Sequence, residues 1–336
     1  MQVMQHPVFR RFWYPVMPIA HLSANQPQSF ELLGQKLALW LDQSGKPAAV
    51  EDRCCHRSAK LSKGEVIDGN LRCPYHGWVF NGVGTCVKVP QCPNQPIPKT
   101  YCVQSFHCTE RYGYAWVCLD EPIASIPEIP EAADPDFRLI HEFYEPWQCS
   151  GLRMMENAFD GAHPHFVHAN TFGDRDNPVP PPYDQIEETA TGLHVTNVLE
   201  VLNPALQQQN LRIAAQKTLR SYDRVWYLPF TARAAISYPT GLTHVIVLTA
   251  TPINDQASQL VQFCLRNDTE TDAKASDVIA FDRAVTLEDR AVLESTDPDV
   301  ELASAAEQHM VSDKPGILMR QRLATLLKTH AEAASY

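Results

Sequence analysis

Cys54-Cys55-His56, then sixteen residues, then Cys73-Pro74-Tyr75-His76-Gly77-Trp78: this stretch decides how the chain is read. It offers two thiolates and two imidazoles in two short loops. Such a set can hold a zinc ion or an iron–sulfur cluster, and Cys₂His₂ is an ordinary structural zinc set. The single residue between Cys54 and His56 is tight for a zinc knuckle. The asymmetric pairing, C-x-H with C-x-x-H, suits a [2Fe–2S] cluster with Cys54 and Cys73 on one iron and His56 and His76 on the other.

The loop Cys-Pro-Tyr-His-Gly-Trp resembles the second ligand loop of Rieske oxygenases. Respiratory and photosynthetic Rieske proteins carry an extra cysteine in each ligand loop, and the two form a disulfide. Here Tyr75 stands where the second would sit, and Cys55 lies between ligands instead of beyond the first histidine. The resemblance therefore implies the soluble oxygenase type. It also implies a cluster potential toward the negative end of the Rieske range and electrons arriving from a reductase.

Composition narrows the rest. The 336 residues suffice for two domains and a sizeable core. A balance of 39 acidic against 28 basic residues gives a net charge of −11, with no Lys/Arg block. Nothing points to nucleic acid or to an anionic membrane. Met1 to Ala20 lacks the continuous apolar core of a signal peptide, and the longest apolar run, around His244–Thr251, is too short to span a bilayer. The expectation is a soluble, cytoplasmic protein whose ten cysteines are reduced thiols, only Cys54 and Cys73 having a special role.

Hydrophobic alternation from Leu37 to Leu41, turn signals at Asp42–Gly45 and Asn81–Gly84, and strand-like runs at 48–51, 70–72, 78–80, 101–106 and 114–119 predict a small antiparallel β domain. Its two ligand loops are expected at hairpin tips. A Pro-rich, acidic stretch over 121–136 reads as a linker. Beyond it come a helix starting near Ser150, strands at 193–201, 211–219, 224–230, 233–238, 244–251 and 259–265, and helices over 276–295 and 315–330. The fold class is α+β: an N-terminal all-β domain (8–135), then a catalytic domain (136–336) of antiparallel sheet with flanking helices.

The first helix of the second domain carries Asn157-Ala158-Phe159-Asp160-Gly161-Ala162-His163-Pro164-His165-Phe166-Val167-His168. Asn157, Asp160 and His163 recur every three residues, so they can share a helical face. Pro164 should kink or end the helix after His163, letting His168 turn back. Taken alone, three histidines in six residues read equally as a surface cluster. Beside a Rieske-like domain, the segment resembles the N-x-x-D-x-x-H-x-x-x-x-H signature of Rieske oxygenase catalytic domains at every named position.

That resemblance implies a mononuclear Fe(II) held by two histidines and a carboxylate, with open positions opposite. His163 and His168 would be the imidazoles, and His165 falls outside the match. The carboxylate is expected from Glu288-Asp289-Arg290-Ala291-Val292, which looks like the family's late acidic segment and assigns Asp289. Glu288 and Asp282 are expected to face solvent or to pair with Arg283 and Arg290. Asp160 would orient His163 and, in a trimer, contact His76 of the partner subunit; a plain surface aspartate is the alternative. Asn157 would lie near the iron, or else be a helix-surface amide.

Length and motifs together look most like the one-subunit-type oxygenases related to vanillate O-demethylase and dicamba monooxygenase. The resemblance implies a monooxygenase component of a homotrimer that uses O₂ to hydroxylate or oxidatively demethylate a small organic molecule. Electrons would come from NAD(P)H through a separate ferredoxin or flavin-containing reductase, since Gly82-Val83-Gly84 is a hairpin turn and no Rossmann fingerprint occurs. A ring-hydroxylating dioxygenase shares the same metals, whereas a pure electron carrier would have no use for the Asn157–His168 segment.

Overall fold

The computed structural model describes residues 1–22, 25–303 and 307–333. Residues 334–336, the end of the expected catalytic domain, lie outside them. The chain divides into two compact units, Val3–Ile126 and Met1–Gln2 with Pro127–Tyr336.

The first unit is antiparallel throughout. Its strands are Tyr14–Pro18 (β1), Gln28–Leu32 (β2), Gln35–Leu41 (β3), Pro47–Glu51 (β4), Glu65–Ile67 (β5), Asn70–Arg72 (β6), Val79–Phe80 (β7), Cys86–Lys88 (β8), Ser105–Arg111 (β9) and Tyr114–Cys118 (β10). Six form one sheet in the order β1-β10-β9-β4-β3-β2, and four form another, β5-β6-β7-β8. Trp40, Val50, Leu71, Phe80, Cys54 and Cys73 share one buried cluster, so the cysteines are rooted in the core. The second ligand loop is a hairpin tip, between β6 and β7. The first is not: it runs from β4 in one sheet to β5 in the other, because those strands never pair.

The second unit is built on a seven-stranded antiparallel sheet. In chain order it comprises Arg138–Trp147 (β11), the helices Gly151–Phe159 (α1) and Pro164–Val167 (α2), Gln185–Glu188 (β12), Gly192–Leu202 (β13), Ala205–Leu211 (α3), Lys217–Tyr227 (β14), Thr231–Ser237 (β15), Thr243–Pro252 (β16), Ser258–Arg266 (β17), Ala275–Leu293 (α4) and Lys314–Ala333 (α5). The sheet order is β11-β17-β16-β15-β14-β13-β12. Every residue of β17 is buried. The α+β class holds.

Several local readings change. Residues 211–219 and 224–230 do not make two strands; α3 ends at Leu211 and one strand, β14, runs from 217 to 227. The stretch from Pro127 is no free connector either. Ile129 is buried, and Glu131 accepts hydrogen bonds from Arg233.

The turn ahead of β8 holds two glycines that differ in kind. Gly84 has φ +78°, and a Cβ there would stand 2.1 Å from Val103 O; at Gly82 it would meet only Ala48 Cβ at 3.5 Å. We expect Gly84→Ala to destabilise the N-terminal unit by about 1 kcal/mol or more and Gly82→Ala to be near neutral, as measured by thermal unfolding.

Candidate metal and substrate site

The Cys54 and Cys73 side chains are buried, at 2% and 3% exposure. Their loops are closed by backbone hydrogen bonds: Cys54 N donates to Ala59 O (2.8 Å), Cys73 N to Trp78 O (2.8 Å) and Gly77 N to Cys73 O (3.1 Å). Gly77 takes φ +71° to make the second turn. The His56 and His76 rings lie 4.5 Å apart, and His56 stacks flat on Trp78 at 4.6 Å. Burial and the neighbouring Cys73 push the Cys54 thiol up to about 12. A thiolate there needs a cation beside it, and buried His56 Nδ1 has no partner in the protein. These donors fit a cluster with two thiolates and two imidazoles.

In the second unit the signature is folded differently from a single helical face. Helix α1 ends at Phe159; Asp160 is its C-cap, with extended backbone (φ −77°, ψ 131°). The Asp160 carboxylate then accepts from Ala162 N (2.7 Å) and His163 N (3.3 Å), turning the chain. Pro164 starts α2 at its first position instead of ending a helix, a place where its missing N–H costs nothing. The one-turn α2 carries the chain from His163 to His168.

Both imidazoles converge on one carboxylate. Asp289 Oδ1 lies 3.6 Å from His163 Nε2 and 3.4 Å from His168 Nε2, and the two rings stand 5.2 Å apart. Each Nδ1 faces a second carboxylate. His163 Nδ1 is 3.5 Å from Asp160 Oδ2, and His168 Nδ1 is 3.2 Å from Glu288 Oε2. Such partners fix the tautomer, so that Nε2 presents its lone pair. Burial lowers the pKa of His168, which favours the neutral ring. Asp289 Oδ1 is buried with no hydrogen-bond donor, as expected of an atom meant for a metal. These residues fit a mononuclear iron with two imidazoles and one carboxylate.

Glu288 was expected at the surface. Instead it accepts from Asn170 N (3.1 Å) and Thr171 Oγ1 (2.7 Å) while facing His168. Asp282 was also expected outside, paired with an arginine of its own helix. It is buried, with Oδ2 3.3 Å from His244 Nε2. His165 is buried too, its Nδ1 3.1 Å from Asp174 O, and it stands outside the His163–His168–Asp289 group.

Above the triad lies a cavity of about 210 Å³, lined by the inner faces of β13–β17, by α1 and by α4. Asn157 lines it. So do Tyr238, Asn197, Leu199, Arg220 and Tyr222, whereas Trp226, Phe230 and Phe263 do not. Asp282 and Asp289, seven residues apart, sit on one face of α4 about 10 Å apart along its axis. Near Asp282, a bulge at His141/Phe143 lies beside Glu142, whose carboxyl joins Asp282 and His244.

The matches to known proteins agree with this geometry. Residues 12–107 match the Rieske [2Fe–2S] domain and residues 147–329 the vanillate O-demethylase oxygenase C-terminal domain. The chain is 32% identical to methylxanthine N1-demethylase NdmA of Pseudomonas putida, over 97% of this chain and 91% of that one. It belongs to the Rieske non-haem iron oxygenases. The structure of NdmA with caffeine superposes with a TM-score of 0.84 at 31% identity, covering 96% and 92% of the two chains. Dicamba monooxygenase shares the fold, with a TM-score of 0.83 at 23% identity over 96% and 98%. As a member of this family the chain is an O₂-using oxidoreductase, the oxygenase component, with a Rieske cluster and a mononuclear iron. No helix among the described residues is long and apolar enough to cross a membrane.

The Glu142–Asp282 contact has a pH signature. Burial and the Asp282 charge push Glu142 well above the usual carboxylate range. Burial opposes the charge on Asp282, but His244, a hydrogen bond from Glu142 and the Arg266 charge hold it below its ordinary value. Glu142 Oε1 and Asp282 Oδ2 are both buried without a hydrogen-bond partner, and a proton on Glu142 serves the contact between the two carboxyls. The folded state thus binds a proton that the unfolded chain releases near pH 4.3. Glu142 costs stability as pH rises from there toward its folded value, by up to about 1.4 kcal/mol per unit. Glu142→Gln should remove that loss, so its advantage over wild type in urea midpoint should grow from pH 5 to pH 8.

Proposed function

We propose that the chain is the oxygenase component of a demethylase, which removes a methyl group from nitrogen or oxygen of a small, flat substrate by hydroxylating it. The carrying observation is a mostly apolar cavity ending on the His163–His168–Asp289 group. A cavity of ~150 Å³ accepts benzene, so this one has room for a substituted ring. NdmA, a methylxanthine N1-demethylase, and NdmB, a methylxanthine N3-demethylase, are relatives over most of the chain.

In this reading Cys54, Cys73, His56 and His76 hold the cluster, and His163, His168 and Asp289 hold the iron. The iron supplies O₂ activation when bound, with electrons delivered through the cluster from a separate NAD(P)H-linked reductase. The chain's own residues do the rest. Glu288 holds Nδ1–H of His168 and the Asp160 carboxylate faces Nδ1 of His163, and so each Nε2 stays aimed at one point. Despite burial, Asp160 stays ionised, because His163 and the Ala162 amide lower its pKa. The apolar wall excludes water and seats the substrate ring, and Asn157 presents an amide to the same space. In a head-to-tail homotrimer Asp160 would also meet His76 of the partner subunit, a heterologous ring that closes.

Each of His163→Ala, His168→Ala and Asp289→Ala should lose the mononuclear iron by metal analysis and nearly all turnover, while the visible absorption of the cluster persists. Glu288→Gln should weaken iron binding or activity by about 10–100-fold, and His165→Ala should retain most activity. The reaction is tested by O₂-dependent formaldehyde release from methylated aromatic and heteroaromatic compounds, with the protein coupled to a reductase. Hydroxylated rings without formaldehyde would replace the demethylase reading. For the trimer, a cluster-less and an iron-less variant should regain activity when mixed. Full turnover by a monomer would refute that assembly.

A further inference from the structure

Among the described residues five arginines are buried: Arg220, Arg224, Arg233, Arg266 and Arg320. Three of them reach carboxylates directly. Arg233 bonds Glu131, Arg266 bonds Asp268, and Arg320 bonds Glu156 and Glu307. The two without a carboxylate partner, Arg220 and Arg224, are the two that line the cavity. They sit four residues apart on the inward face of β14, where a sheet normally buries apolar side chains.

The two are not equivalent. Arg224 donates to Asn197 Oδ1 (2.9 Å) and Ala158 O (3.4 Å), near the C-terminal end of α1, and feels the charge of Asp160. Its place is largely structural. Arg220 is 2% exposed and donates from one terminal nitrogen to the neutral Asn203 Oδ1 at 2.8 Å. Its Nε, like that of Arg224, has no partner, so the bond to Asn203 is its one hydrogen bond against two for Arg224. The Phe172 and Tyr238 rings lie 5.8 and 5.2 Å from its Cζ. Cation–π contacts with two rings offset only part of what burying a charge without a counter-ion costs. Something with negative charge is missing.

We propose that Arg220 is an anion-binding subsite and that the substrate is a small aromatic or heteroaromatic carboxylate, its oxygens taken by the Arg220 fork. Phe172 lies 4.7 Å from the His168 ring and 5.8 Å from the Arg220 guanidinium, so one side chain links the charged group to the proposed iron ligand along the same cavity wall. The acidic groups on the α4 wall do not compete, since Asp282 is balanced by His244 and Arg266. The location of the methyl group opposite rests on the demethylase reading; the anion subsite does not.

The test is calorimetric titration of the protein, with both metal centres loaded, using 4-methoxybenzoate and its neutral isostere 4-methoxybenzamide. The acid should bind about tenfold more tightly, or better, in wild type. Arg220→Gln should abolish that preference, and Arg220→Lys, which keeps the charge but loses the fork, should keep part of it. A merely structural arginine would lower the melting temperature and leave the acid-to-amide ratio alone. Equal binding of the two probes by wild type, no binding of the acid, or an unchanged ratio in Arg220→Gln overturns the proposal. If Arg220→Gln does not fold, the wild-type contrast and Arg220→Lys decide. Formaldehyde measured in parallel separates the two readings. An anion preference without formaldehyde leaves the subsite standing alone, and formaldehyde from a neutral methyl heterocycle without that preference leaves the demethylase alone.

Discussion

One oxygen atom, Asp289 Oδ1, stands within 3.6 Å of two imidazole nitrogens, and the catalytic unit is arranged to hold it there. Three carboxylates, Asp160, Glu288 and Asp289, crowd around His163 and His168. Their mutual repulsion in a partly buried space would be costly without a cation at the centre. In the proposed iron site two of these charges would orient the rings from behind, and the third would complete the ligand face. Helix α4 supplies two of the three from adjacent positions. Its placement against the His163–His168 turn is therefore the condition on which the rest depends.

That condition was half legible. The spacing Asp160, His163, His168 and the acidic segment at 288–290 pointed to residues that the fold does bring together, because metal donors must come from a few short stretches. What spacing could not show is how the chain bends. Extended backbone at Asp160, and an N–H-free proline opening α2, replace the continuous helical face that a three-residue period suggests. Nor could it show that Glu288 and Asp282 turn inward. Charges on a helix are read as solvated, and α4 breaks that rule because the face carrying Asp282, Thr286 and Asp289 lines the cavity.

The sheet repeats the lesson. Alternation in β14 places Thr218, Arg220, Arg224 and Trp226 inside and leaves Leu219 exposed. With polar residues on the buried face no apolar period marks the strand as one element, and the ranges 211–219 and 224–230 miss its continuity. The Glu142 bulge in β11 escaped for a related reason. An acidic residue flanked by histidine and phenylalanine gives no sign that burial and Asp282 will keep it protonated. In each case the misread position is a polar group turned inward, where the fold gives up apolar packing.

A cavity with cationic groups on the sheet wall and carboxylates on the helix wall is an oriented field as well as a volume. Inside such a low-dielectric space a difference in charge across a few ångströms is worth far more than it is in water. A neutral ring could enter it in several orientations of similar energy, whereas a ring carrying one negative group would have a single favoured pose. The proposed Arg220 contact would fix that pose. The edge turned toward the iron is then chosen by charge, and the apolar wall between decides only which shapes can reach it.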